Sequence, residues 1–226
     1  NMSGIVSYGA YIPKYRIDRK LIYKSMGWLN PATFMPGEKA VANYDEDSVT
    51  MAVAAGIDCL TEIDRTDVDA VFFATTTSPY AERQGAEIIA TALDCRSDIR
   101  TADITDTPKA GTTALLSAVD AVKAGSIKKA MVCAADMRVG KAGSAQEEIF
   151  GDGAAALLMG EDDVVAEYVG AFSVSYDFVD HWRSAGEKFD HQWEDRFIRD
   201  VGYTRFIVEA MEGLSKACGI KMSDMT

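Results

Sequence analysis

The residues in this chain that could do chemistry are few and widely spaced. Four cysteines, Cys59, Cys95, Cys133 and Cys218, stand far apart with no Cys-x-x-Cys pair, and the two histidines are His181 and His191. Structural zinc needs clustered sulfur and imidazole ligands, so no metal site is expected. Cys59 and Cys133 fall inside apolar patterns and read as buried, reduced thiols. No Gly-x-Gly-x-x-Gly follows a strand-like run and no P-loop is present, which weighs against a nucleotide-binding enzyme.

Composition narrows the partners. The 226 residues are 48% hydrophobic and 26% charged, enough for a full core. With 23 Lys and Arg against 35 Asp and Glu, the net charge is -12. Such a surface repels phosphate backbones and anionic headgroups, so neither nucleic acid nor membrane is an expected partner. An anionic small molecule would need a local basic patch. No apolar run is long enough to span a bilayer and the start lacks a basic stretch before a hydrophobic one, so a cytoplasmic protein is expected.

The elements that must position these groups alternate. Gly4 to Pro13 reads as a strand ended by proline, and a short helix follows Asp18. Asn30 to Asn43, with two prolines and a glycine, reads as loop. Carboxylates at Asp45, Glu46 and Asp47 open a helix running to Ile63. The apolar run 69–74 predicts a strand covered on both faces. A helix over 82–93, a strand over 100–104, a helix over 109–123 and strands over 130–135 and 154–159 continue the series. Alternation of this kind implies an α/β fold with a mostly parallel sheet between helices. Val164 to Ser175 reads as a strand or an antiparallel pair. Asp177 to Asp200 reads as an ordered insertion, because Trp182, Phe189, Trp193 and Phe197 need packing partners. Tyr203 to Cys218 reads as an amphipathic helix capped by Gly219.

Several segments, in order, resemble hydroxymethylglutaryl-CoA synthases of the archaeal type and, more distantly, ketoacyl synthase III. They are the opening Gly4–Arg16, Glu38-Lys39 followed by Asp45–Ser48, the glycine turn in Phe150–Ala156, and Asp180–Arg183 with Gly186–Phe189 behind it. The resemblance implies a thiolase-like fold, layered α/β/α/β/α, with residues 1–165 as a complete first half and 166–226 as an incomplete second half. The remainder of that half, beyond Thr226, would supply the family's catalytic histidine.

The resemblance also assigns positions. Family members carry an acyl-accepting cysteine at a helix N-terminus, where the helix dipole and free N–H groups stabilise thiolate and oxyanion. Here that position, before Lys109-Ala110-Gly111-Thr112, is Pro108. Proline brings no nucleophile and no N–H, but suits the first turn of a helix. The family's acid/base glutamate is replaced by Thr76, whose hydroxyl does not shuttle protons near neutral pH. Thr107 or Asp106 are the substitutes left to attack a thioester, with no base in view. Asp136, Asp180, Arg183 and Lys109 match positions that would line an acyl-CoA pocket. Each also has a plain structural reading: a turn cap, an insertion anchor or a solvated cation.

The implied protein is therefore a non-catalytic subunit or acyl-CoA-binding partner; the alternative is an active acyltransferase using relocated groups. A coenzyme A thioester is the implied ligand, with no tightly bound cofactor. A homodimer, or a heteromer with an intact condensing-enzyme subunit, is the implied assembly, with a thiolase and an OB-fold zinc protein as further partners.

Overall fold

The computed structural model describes residues 2–26, 34–221 and 223. The chain divides into two compact units, residues 1–168 and 169–226. In chain order the first holds β1 (Gly4–Tyr11), β2 (Tyr15–Asp18), α1 (Arg19–Ser25), β3 (Glu38–Val41), α2 (Ser48–Cys59), β4 (Ala70–Ala74), α3 (Gly85–Ala92), β5 (Arg100–Ile104), α4 (Ala110–Lys123), β6 (Ala130–Asp136), α5 (Ala145–Ile149), β7 (Gly153–Gly160) and β8 (Ala166–Glu167).

Six strands form one sheet in the order β5-β4-β6-β7-β1-β8. Strand β4 is parallel to β5 and β6, while β7 is antiparallel to β6 and β1, and β8 is antiparallel to β1. The sheet is thus mixed where the alternation pointed to a mostly parallel one. The connection from β6 to β7 carries only the five-residue α5, short of the full crossover helix that returns a chain to a parallel start. Four strands, β1, β4, β5 and β6, still run in one direction, so their carboxyl ends share one edge.

Alternation along β4 divides the core. Phe73 packs with Met51, Ile89, Leu93, Met131 and Leu158 beneath α2 and α3. Phe72 packs on the opposite face with Ala114, Ala118, Val119 and Val122 of α4. Burying each such large side chain contributes about 1.5–3 kcal/mol. Helix α2 begins with a capping box: Asp47 accepts from the Thr50 amide, and the Thr50 hydroxyl accepts from that of Asp47. Gly9 lets β1 lie directly on α2, since a Cβ there would press on the backbone of Ala55 and Cys59.

The stretch from Asn30 to Asn43 departs from the loop reading. Its first residues, 30–33, lie outside the described residues, but β3 pairs with β2 from Tyr15↔Val41 to Asp18↔Glu38. Long-range pairing makes this strand, without a local pattern to announce it. Of 164–175, only Ala166 and Glu167 are strand.

In the second unit a short hairpin joins β9 (His181–Trp182) to β10 (His191–Gln192), followed by α6 (Asp195–Phe197), a π-helical segment Ile198–Tyr203 and α7 (Thr204–Cys218). The insertion is ordered by its aromatics: Trp182 stacks on His191 at 5.2 Å and Phe178 on Phe197 at 5.3 Å between ring centroids. Gly219 ends α7 with φ 67°, the left-handed cap expected there. Among the described residues no helix is long and apolar enough to cross a membrane.

Candidate functional site

A cavity of about 350 Å³ opens at the carboxyl edge of the sheet. Ala74, Ala134, Ala135, Ala154 and Ala155 line its base; Thr75, Thr76 and Asp136 line one side, and Thr107, Pro108, Ala110 and Gly111 another. Segments 69–80 and 101–112, more than twenty residues apart in sequence, meet here because β4 and β5 are adjacent and parallel. Sites in open α/β sheets form at this edge, where loops leave the strands together.

Asp136 ends β6 and organises the loop after β4. Its Oδ1 accepts from the Thr76 amide at 2.7 Å and from the hydroxyls of Thr75 and Thr77 at 3.0 Å each. The Thr77 hydroxyl accepts in turn from the Met137 amide at 2.9 Å, and the Thr75 amide donates to the Ile104 carbonyl of β5 at 3.2 Å. The two readings of Asp136 meet: it caps a turn and it also faces the cavity.

The opposite wall is the entry to α4. Asp106 adopts φ 70°, reversing the chain, and the Thr107 hydroxyl accepts from the Lys109 amide at 3.2 Å. The α-helix begins at Ala110 with Lys109 as its cap, so Pro108 lies in the turn just ahead of the helix rather than in its first turn. Its ring meets the cavity with neither nucleophile nor N–H. Thr76 lines the facing wall.

None of the four cysteines lines the cavity. Cys133 is fully buried in β6 within the cluster beneath α2 and α3, and its burial pushes the thiol well above its ordinary range. Burial also pushes Cys59 up to about 11 and raises Cys95. Thiolates, the reactive form, are disfavoured at all three.

Lys109 and Asp106 are exposed and absent from the cavity wall, so of the four residues around the turn only Thr107 and Pro108 reach it. Asp180 and Arg183 belong to the second unit. There Asp180 accepts from the His181 amide at 2.6 Å and pairs with its Nδ1 at 2.9 Å, while Arg183 lies 3.8 Å from Asp190. Burial and the Asp180 charge raise the Tyr203 phenol above its usual range. Among the described residues no cluster of three or more His, Cys, Asp or Glu is placed to hold a metal.

Three supporting residues carried no sequence signal. Asp103 caps α3 by accepting from the amides of Gly85 and Ala86 at 2.6 and 2.8 Å. Asp69 accepts from the amides of Lys128 and Lys129, and from Arg96 at 3.0 Å. Asp152, in the glycine turn beside the cavity, accepts from the Ala42 amide at 2.7 Å, and burial raises its carboxyl. Each acts on residues 17 or more positions away, beyond any local pattern.

No family model matches the chain. A hydroxymethylglutaryl-CoA synthase of Methanocaldococcus jannaschii is 37% identical over 229 residues, covering 99% of this chain and 66% of that protein. Among solved structures, MvaS in complex with 3-hydroxy-3-methylglutaryl coenzyme A superimposes with a TM-score of 0.87 at 25% identity, over 99% of this chain and 56% of that one. The 3-oxoacyl-(acyl carrier protein) synthase III of Pseudomonas aeruginosa PAO1 gives 0.83 at 19% identity, over 99% and 73%, which speaks to fold alone. The chain spans just under two thirds of the length of the curated relative. Its sequence across nearly every residue, and its layered α/β sheet with the cavity at the carboxyl edge, place it in the hydroxymethylglutaryl-CoA synthase family of thiolase-like proteins.

Proposed function

We propose that this chain is a non-catalytic member of its family that holds a short acyl thioester of coenzyme A. The observation that carries the reading is Pro108 on the cavity wall, at the position the family resemblance gives to the nucleophilic cysteine, with Thr76 opposite in place of the acid/base glutamate. The cavity survives while both reacting groups are gone. Its alanine-lined base suits a short aliphatic chain. The complex of a structural neighbour with 3-hydroxy-3-methylglutaryl coenzyme A supports the ligand class.

In this reading the chain works in the cytoplasm beside an intact condensing-enzyme chain. Strand β5 ends the sheet with one side of its backbone ladder open, which supports assembly through that edge in a heteromer or a homodimer.

The second reading, an active acyltransferase with relocated groups, rests on the Thr107 hydroxyl in the cavity wall. Against it, that hydroxyl already accepts from the Lys109 amide, and among its described hydrogen bonds none reaches a base. Incubation with acetyl-CoA separates the two. Saturable binding with no free CoA and no acyl adduct by intact mass supports the first. Turnover that survives removal of every cysteine and dies with Thr107→Ala establishes the second.

A further inference from the structure

The acyl-CoA reading leaves the chemistry of the acyl group open, and the charges around the cavity bear on it. Among the described residues that line the chamber, one alone carries a charge, Asp136, and there is no lysine, arginine or histidine. Lys109, next to Pro108, is exposed and off the wall. Arg138, two positions beyond Asp136, lies over the Phe150 ring at 4.5 Å. The adjoining glycine turn adds a further carboxyl, Asp152, and the chain as a whole carries a net charge of -12.

The two oxygens of Asp136 are used differently. Oδ1 is occupied by three donors of the loop after β4, whereas Oδ2 takes no hydrogen bond among the described residues. A carboxylate oxygen on a cavity wall attracts a hydroxyl and repels a second carboxylate. On the opposite wall the Thr107 hydroxyl accepts from the Lys109 amide, the Thr107 carbonyl accepts from the Ala110 amide, and Pro108 has no N–H. The start of α4 thus spends most of its amides on its own turn, which leaves that wall little with which to balance an anion.

We infer that Asp136 selects the acyl group: the cavity takes a neutral short chain bearing a hydroxyl, held through Oδ2, and turns away chains that end in a carboxylate. The assignment rests on the acyl-CoA reading of the cavity and adds to it the class of thioester. A carboxylate-ended chain would bring a second negative charge beside Asp136 with no cation on the walls to offset it, and an uncompensated charge is costly to desolvate. A hydroxyl in the same place donates to a charged acceptor, a stronger bond than one between neutral groups.

The test uses three coenzyme A thioesters whose acyl chains have equal carbon counts: butyryl-CoA, 3-hydroxybutyryl-CoA and succinyl-CoA. They share every phosphate and the pantetheine arm, so differences among them report the acyl end alone. Each is titrated calorimetrically, at neutral pH, into the full chain and into its Asp136→Asn variant. The wild type should bind 3-hydroxybutyryl-CoA about tenfold more tightly than butyryl-CoA. It should bind succinyl-CoA about tenfold or more weakly than butyryl-CoA. In Asp136→Asn one oxygen remains for the three loop donors and an uncharged amide nitrogen replaces Oδ2, so the succinyl penalty should shrink to about threefold or less. Equal wild-type affinities for the three, or succinyl-CoA binding tightest, would overturn the selection and leave the acyl-CoA reading standing. This ranking decides the selection whether or not the variant folds. A succinyl penalty undiminished in Asp136→Asn would overturn Asp136 as its source. Failure of all three thioesters to bind the wild type would remove the acyl-CoA reading and the selection with it.

Discussion

The Asp136 carboxylate and the Thr76 amide, 60 residues apart in sequence, are joined at 2.7 Å across the ends of β6 and β4. One oxygen takes that amide and two threonine hydroxyls, so three of the bonds holding the loop that forms a cavity wall converge on one acceptor.

Asp136→Ala should therefore loosen the wall and the fold together. Losing an ionised acceptor that serves three donors costs about 2–4 kcal/mol, or roughly 4–16 °C in melting temperature for a chain of this size. Asp136→Asn keeps a carbonyl oxygen in place and should recover most of that loss. Thermal denaturation of the two variants decides it; equal, small shifts for both would contradict the clamp.

Pro108→Cys should create the fastest-reacting thiol in the protein. The new side chain would stand at the cavity wall ahead of α4, where the helix dipole favours thiolate. Cys59, pushed up to about 11, reacts slowly at pH 8 and gains roughly tenfold per pH unit until that value. Timed alkylation read by intact mass should show one rapid added label in the variant. The same labelling rate as wild type would place residue 108 away from solvent and from the helix end.

Asp69 and Asp152 should respond to pH with opposite signs. Burial alone would raise Asp69, but the amides of Lys128 and Lys129 and the Arg96 guanidinium outweigh it and hold its carboxyl low. Its stabilisation is present above the unfolded carboxylate value and is lost as pH falls through the folded one. Burial raises Asp152, and the Glu46 charge adds to this. Its contribution is complete below the unfolded value and is lost as pH rises through the folded one. At neutral pH, Asp152→Asn should raise the melting temperature, since the amide oxygen can still accept from Ala42, whereas Asp69→Asn should lower it. Two shifts of the same sign would refute the assignment.

Gly9→Ala should cost about 3 kcal/mol. The added methyl would meet the backbone of Ala55 and Cys59, which cannot rotate away as a flexible side chain would. Denaturant unfolding with a lowered midpoint and an unchanged slope is expected; wild-type stability would mean that β1 and α2 are not in close contact.

The sequence made much of this scaffold legible. The strand over 130–135 and the helix reaching Lys123 follow from continuous or amphipathic apolar runs, and Gly219 announces its own cap. What it hid is relational. Strand β3 exists because β2 is beside it, and the direction of β7 depends on how the chain returns from β6. Pro108 was readable through its neighbours Lys109-Ala110-Gly111. Thr75 and Thr77 were not, because their purpose is set by Asp136, and no window along the chain contains all three.

The alanines beneath the cavity have a bearing on ligand length. Ala74, Ala134 and Ala155 sit on β4, β6 and β7, and their methyl groups leave the depth of the chamber open. A longer side chain at any of these register positions would rise into that depth with no change of backbone. The sheet thus acts as a gauge set by these three side chains, and exchanging one methyl for an isopropyl would shorten the tail that the chamber admits.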